Sequence, residues 1–268
     1  MKPREIKTGN YVRSIDRALY IIQFLNQENG VTANYMSMAT QIPRPTTFRI
    51  LETLRGLAFV RKDESGRYWL EPEITSLSAG FLEDKQLIDC FNDLLNDLSG
   101  EIPWPLSIST RKGNSMVIRA STDLDSSEAA SRKLTAGWAM PGLLNSAAGI
   151  IYTACCDEET RRQILSSIGQ DPVSPTLHSL DPEALAQTLE KMQKKGFAFA
   201  EHNITWNWAD RTSALAVPIF SDGFLFGALS LRFFRERTSD DDVLKRCLSK
   251  MRRTSTSIGL LLRKMGAD

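Results

Sequence analysis

Apolar side chains near the start of the chain recur three and four residues apart: Ile15, Ala18, Leu19, Ile22 and Leu25 in SIDRALYIIQFLNQ predict a core-forming helix, with Ser14 placed to cap it. Asn29-Gly30 ends that helix, and residues 32–41 predict a shorter one with Met36 and Ala39 inward, closed by Pro43. Pro45 suits a first helical turn, where its missing N–H costs nothing, and a third helix runs over residues 46–57. At ~100° per residue, Ile50, Leu51, Leu54 and Leu57 gather on one face with Thr47 near its middle, whereas Pro45, Thr46, Arg49, Glu52 and Thr53 lie opposite. The runs AFVRK and RYWL flank the turn-forming cluster Asp-Glu-Ser-Gly and predict a short hairpin.

Three helices and a hairpin outline a winged helix-turn-helix over residues 1–72. The outward face of the third helix carries small, hydroxyl and guanidinium groups, the types that approach a groove closely, bond phosphates or fork onto guanine. Candidate DNA contacts are therefore Arg44, Pro45, Thr46, Thr47, Phe48 and Arg49 on the helix, although helical geometry turns Thr47 toward the core and leaves Arg49 and Thr46 as the best readers. Phe48 flanks that face, available either to a thymine methyl or to packing against the domain. Arg61, Lys62 and Arg67 on the hairpin strands are candidate phosphate contacts, which add affinity and salt dependence without sequence preference. Asp63 and Glu64 at the tip repel phosphate. The same outline also occurs in winged modules that bind protein, where an outward Arg is merely solvated.

Beyond Pro72, Ile74, Leu77 and Phe81 predict a linker helix over residues 73–86, and Leu87, Ile88, Phe91, Leu94, Leu95 and Leu98 a further helix opening a second domain over 87–268. That domain alternates strand-like runs (LSIST, SMVIRA, FAFA, SALAVPIF, FLFGALSLRFF) with helices over about 146–156, 157–168 and 182–195. Asp181 caps the third of these and Gly196 stops it, and a closing helix begins near Thr238-Ser239. An antiparallel sheet flanked by helices results, so the fold class is a two-domain α+β protein.

Composition narrows the field further. A chain of 268 residues suits two domains, and its 42% hydrophobic and 24% charged residues exclude collagenous, disordered and membrane classes. No apolar run approaches a bilayer span, and the polar start MKPREIKTGN lacks a signal's apolar stretch, so a cytoplasmic protein with reduced cysteines is expected. The net charge of +1 divides at Pro72 into +4 (11 Lys+Arg, 7 Asp+Glu) and −3 (22 and 25), a basic head on a mildly acidic body. His178 and His202, the two histidines, sit at no metal-ligand spacing, and Cys155-Cys156 reads as small buried helix residues more readily than as a redox pair. Nucleophile-elbow, Walker and dinucleotide motifs are missing from the sequence, so no catalytic residue, metal or cofactor is expected. The competing reading is an enzyme or protein-binding module that carries a winged attachment domain.

A ligand pocket needs apolar walls and a few aimed polar groups, and the stretch GWAMPGLLNSAAGIIYTA offers both. Trp138, Met140 and Leu143 are bulky, while Asn145 and Ser146 open a helix whose first turn, Ala147, Ala148 and Gly149, has N–H groups suited to a carboxylate. Close helix packing explains the same small residues equally well. Trp104, between two prolines, is a large aromatic available to line the cavity. Alternation in GALSLRF puts Ala228, Ser230 and Arg232 on one face, so Arg232 either clamps an anion from within a cavity or is an ordinary surface charge.

The segments SIDRALYIIQFL, IPRPTTFRILETL and FVRKDESGRYWLEPEITSLS, in that order, resemble the IclR family of bacterial transcription regulators. That resemblance implies a winged head joined by a linker helix to a GAF-like effector-binding domain, a palindromic duplex operator, and a homodimer assembled into a dimer of dimers. It also implies effector contacts at the stretch around residues 145–149 and on the strands holding Ser213, Ser230 and Arg232, although family members often carry a small residue near the last. IPWPLSIST, GLLNSAAGI and ALAVPI are most similar to the subgroup that controls breakdown of aromatic acids such as hydroxyphenylpropionates, which implies a small organic acid effector. The similarity is loose over residues 123–133 and 201–210, two loops expected to set ligand choice.

Overall fold

The computed structural model describes residues 12–78, 85–123, 134–168, 181–201 and 212–266, and the chain divides into two units, Met1–Glu83 and Asp84–Asp268. His178, His202 and most of the two loops expected to set ligand choice lie outside the described residues.

In the first unit the order is α1 (Arg13–Gln27), β1 (Val31–Thr32), α2 (Ala33–Thr40), α3 (Arg44–Gly56), β2 (Val60–Lys62) and β3 (Arg67–Leu70). Ile21, Ile22, Phe24, Leu25, Met36, Ile42, Leu51, Leu54, Val60 and Tyr68 form its core. Thr32 caps α2, accepting from the Tyr35 N–H, and Pro45 sits in the first turn of α3 as expected. Three expectations are corrected. Ile15 and Leu19 are exposed, because the side of α1 that meets the rest of the unit is set by Ile21, Ile22, Phe24 and Leu25. Leu57 is exposed as well, since it follows the last helical residue and no longer obeys the helical period. The residue capping α1 is Val12, with no side-chain bond, rather than Ser14, which lies inside the helix. The strand β1 was not legible, because two residues show no alternation; it pairs antiparallel with β3, Val31 opposite Tyr68. Gly30 enters it at φ +82, against the Trp69 ring, where any Cβ would collide.

Where the pattern predicts a linker helix over 73–86, Pro72–Ser78 winds as a 3₁₀ helix, and residues 79–84 are not described. Its apolar residues are spaced almost as well for three residues per turn as for 3.6, so periodicity alone does not separate the two.

The second unit opens with α4 (Lys85–Ser99), followed by β4 (Leu106–Lys112), β5 (Ser115–Ser121), β6 (Ala139–Pro141), α5 (Ala147–Cys155), α6 (Glu158–Ile168), α7 (Pro182–Lys195), β7 (Ala198–Glu201), β8 (Thr212–Ser221), β9 (Phe224–Phe234) and α8 (Asp240–Met265). Six strands form one antiparallel sheet in the order β6-β5-β4-β9-β8-β7. Strict alternation in β8 and β9 gives the sheet two unlike faces. Leu215, Val217, Ile219, Leu229, Leu231 and Phe233 pack with α4 and α8, each buried side chain contributing about 1.5–3 kcal/mol relative to exposure. Ala214, Ala216 and Ala228 meet α5, α6 and α7 on the other side, where small side chains let the helix layer sit close to the strands. Ser239 caps α8, whose first turn is acidic and last turn basic, as the helix dipole favours. The four cysteines are free thiols, and burial pushes Cys155 up to about 11, with Cys156 adding to the shift, so neither thiol of the adjacent pair is primed for reaction.

Candidate functional site

The DNA candidates sort by exposure. Arg44, Pro45, Phe48 and Arg49 are exposed along α3 and Thr46 is partly so. Thr47 is withdrawn as a groove contact: it is fully buried, and its hydroxyl donates to the Ile42 carbonyl at 3.2 Å, tying the start of α3 to the turn before it. Arg44, Pro45 and Phe48 share a concavity of about 410 Å³ with Thr32, Asn34, Lys62, Gly66 and Tyr68. The beginnings of α2 and α3 thus face the hairpin across an open cleft holding two cations.

On the hairpin the three cations differ. Arg61 pairs with Glu71 at 2.9 Å and lies over the Trp69 ring, and Arg67 donates to the Gly30 carbonyl at 3.2 Å. Lys62 has no ion pair among the described residues, and its ammonium rests between the rings of Tyr68 and Phe48, 5.4 and 5.8 Å from their centroids. Asp63 is a clasp. It accepts bonds from the Trp69 indole at 2.8 Å, the Ser65 hydroxyl at 2.7 Å and the Arg67 N–H at 2.9 Å, and those donors, the indole foremost, hold its carboxyl at about 2.

Sequence reasoning placed Glu52 on the outward face and missed its partner. The Tyr68 hydroxyl donates to Glu52 at 2.8 Å and Arg55 binds the other carboxylate oxygen. These contacts, the tyrosine bond first, lower the carboxyl, while burial and then Glu52 raise the Tyr68 phenol to about 12. No spacing rule links positions that far apart.

In the second unit the predicted ligand residues do not converge. Trp104 is buried on the α4/α8 side, 5.9 Å from Phe233 and under Arg246, so it belongs to the core and not to a cavity on the α5 side. Ser213 pairs across strands with Phe233 and shares that same side. Leu143, Ala147, Ala148 and Gly149 are buried, and a Cβ on Gly149 would overlap the Leu143 carbonyl; close packing is what this stretch does. Ser146 accepts the Gly149 N–H at 3.1 Å, so its own cap occupies part of the turn expected to hold a carboxylate. Arg232 is neither an open clamp nor a surface charge. It is buried on the α5 side with both oxygens of Asp123 at 2.6 and 2.8 Å, and Asp123 also accepts the Leu134 N–H. Beside it, Ser230 shares a 3.0 Å hydroxyl contact with Ser107 on the neighbouring strand, a partner the sequence did not suggest. Met140 and Asn145 are half-buried, Met140 packing against the α5 cluster.

Among the described residues no His, Cys, Asp and Glu side chains gather as a metal site, and no helix is long and apolar enough to cross a membrane.

A winged helix-turn-helix unit followed by a separate sheet-and-helix unit is the build of a ligand-responsive transcription regulator. The profile of the IclR helix-turn-helix domain matches residues 14–64 and that of the bacterial transcriptional regulator IclR C-terminal domain residues 79–260. The chain therefore belongs to the IclR family of bacterial transcriptional regulators and is not an enzyme. It is 25% identical to the Pca regulon regulatory protein of Pseudomonas putida over 89% of this chain and 80% of that protein. It is 24% identical to the transcriptional repressor AllR of Escherichia coli K12 over 92% and 91% of the two. Its fold matches, at a TM-score of 0.62 and 19% identity, the crystal structure of an IclR homolog from Microbacterium hydrocarbonoxydans complexed with 4-hydroxybenzoate, covering 94% of this chain and 99% of that one.

Proposed function

We propose that this regulator reads a palindromic operator as a homodimer, with α3 in the major groove and the hairpin along the adjacent backbone. Arg49 and Thr46 are its base readers, Arg44, Lys62, Arg61 and Arg67 its phosphate contacts, and Pro45 and Phe48 its apolar edge. The observation that carries this reading is the cleft in which Arg44, Pro45 and Phe48 face Lys62. Two-fold pairing is supported by Ile15 and Leu19, exposed apolar residues one turn apart on α1, with the exposed Val12 at its cap. Duplex DNA as target places the protein in the cytoplasm. Arg49→Ala should cost about 1–3 kcal/mol on a duplex enriched by the wild-type protein from a random pool. Its affinity for unrelated duplex should fall far less. Equal losses on both duplexes would reassign Arg49 to the backbone.

The effector is a small aromatic acid bound on the α5 side of the sheet, in contact with Ser230 and Ser107. Support comes from the 4-hydroxybenzoate held by the Microbacterium homolog and from the small side chains Ala216 and Ser230, which lie in cross-strand register with Ser107. Arg232 serves there as half of a neutral pair with Asp123, not as a charge clamp. In a thermal-shift titration 4-hydroxybenzoate should stabilise the protein, by about 2.7 kcal/mol at a hundredfold excess over its Kd. Ser230→Ala should weaken that effect. A melting temperature indifferent to 4-hydroxybenzoate, benzoate and hydroxyphenylpropionate alike refutes the aromatic-acid assignment.

A further inference from the structure

We propose that Tyr68 and Glu52 are positioning residues which keep Lys62 available for a DNA phosphate. The proposal rests on the reading of Lys62 as a backbone contact. Lys62 and Tyr68 are cross-strand partners in the hairpin, so their side chains share one face, and the ammonium lies over both the Tyr68 and Phe48 rings. Glu52, on α3, is the nearby anion, close enough that Lys62 contributes to lowering its carboxyl. A carboxylate beside a lysine normally captures it, and a captured ammonium releases no counterion when DNA binds. Here both carboxylate oxygens are already held, one by the Tyr68 hydroxyl at 2.8 Å and the other by Arg55. Tyr68 is 1% exposed and belongs to the core of the first unit, which holds its hydroxyl in place against Glu52. The lysine is left to the weaker attraction of two ring faces, which a phosphate can outcompete. Recognition helix and hairpin are coupled by the same bond, because Glu52 belongs to one and Tyr68 to the other.

The chemistry dictates a rescue experiment on the full-length protein, read as the slope of log affinity against log salt on a mixed-sequence duplex. Each phosphate contact contributes a slope of about 0.9. Lys62→Ala should lower the slope by about that amount; if it does not, the reading beneath the proposal falls and the proposal with it. Tyr68→Phe, which deletes one oxygen, frees Glu52 to capture Lys62 and should lower the slope equally. It should add nothing in the Lys62→Ala background. Adding Glu52→Gln to Tyr68→Phe should restore the slope, because an amide does not bind an ammonium, whereas Glu52→Gln alone should leave it at the wild-type value. A structural role for the bond would lower the melting temperature and leave the slope unmoved. The proposal is overturned if Tyr68→Phe keeps the wild-type slope while Lys62→Ala loses it, if the double variant is not rescued, or if Glu52→Gln raises the slope alike in both backgrounds. A Tyr68→Phe protein that fails to fold at 25 °C also counts against it.

Discussion

Asp63 shows how little a residue's place in sequence says about its work. At a hairpin tip an acidic side chain reads as a charge facing solvent, yet three donors, the Trp69 indole among them, converge on it and close the turn. A carboxyl held at about 2, below its ordinary value of 3.8, adds stability that is fully present above pH ~4 and is lost as pH falls through about 2. The Trp69 indole proton, followed by NMR, should therefore shift in that window, and Asp63→Asn should abolish the acid dependence. A midpoint near 4 in the wild-type protein would mean that the clasp does not form in solution. Thr47 teaches the complementary lesson: its helical angle predicted burial, and its hydroxyl is turned inward to the Ile42 carbonyl. Arg232 was legible only as far as its side of the strand, because Asp123, which neutralises it, comes from a distant strand end.

Among the elements, β8 and β9 were the most legible and the stretch around α5 the least. Alternation assigned Leu229, Leu231 and Phe233 to one side and Ala228, Ser230 and Arg232 to the other, and the packed clusters divide the same way for the residues they contain. Small residues at the start of α5 suited a ligand or a neighbour equally. Gly149 against the Leu143 carbonyl decides for the neighbour, and Gly149→Ala should cost about 1–3 kcal/mol in urea unfolding through overpacking. An unchanged midpoint would show that the segment has room to yield. The buried pair at the end of β9 makes a sharper test. Asp123→Ala takes both short carboxylate bonds from a buried guanidinium and should cost about 3–5 kcal/mol, whereas replacing both partners by apolar residues of similar volume should cost far less. Equal losses in the two variants would mean that the pair is held apart by solvent.

For the whole molecule, the division into a basic head and an acidic body anticipated two units, and the IclR family matches span both. Self-association belongs to this scale. If the chain pairs as proposed, Leu19→Asp should shift its sedimentation toward the monomer while sparing the monomer's fold, since Leu19 is 51% exposed; a sedimentation profile unaltered by the substitution would direct attention away from α1. The sequence by itself determined the helices of the head, the inward side of α3, the two-sidedness of the central strands and the family, because each is written in spacing along one element or in contiguous motifs. Tertiary structure decided which polar groups remain available. Trp104 and Ser213 went to the α8 side, Arg232 to Asp123, and Glu52 to Tyr68, leaving Lys62 over two rings. The physical reason is that periodicity fixes the direction a side chain takes from its own backbone, whereas burial and hydrogen bonding depend on what other elements bring to meet it.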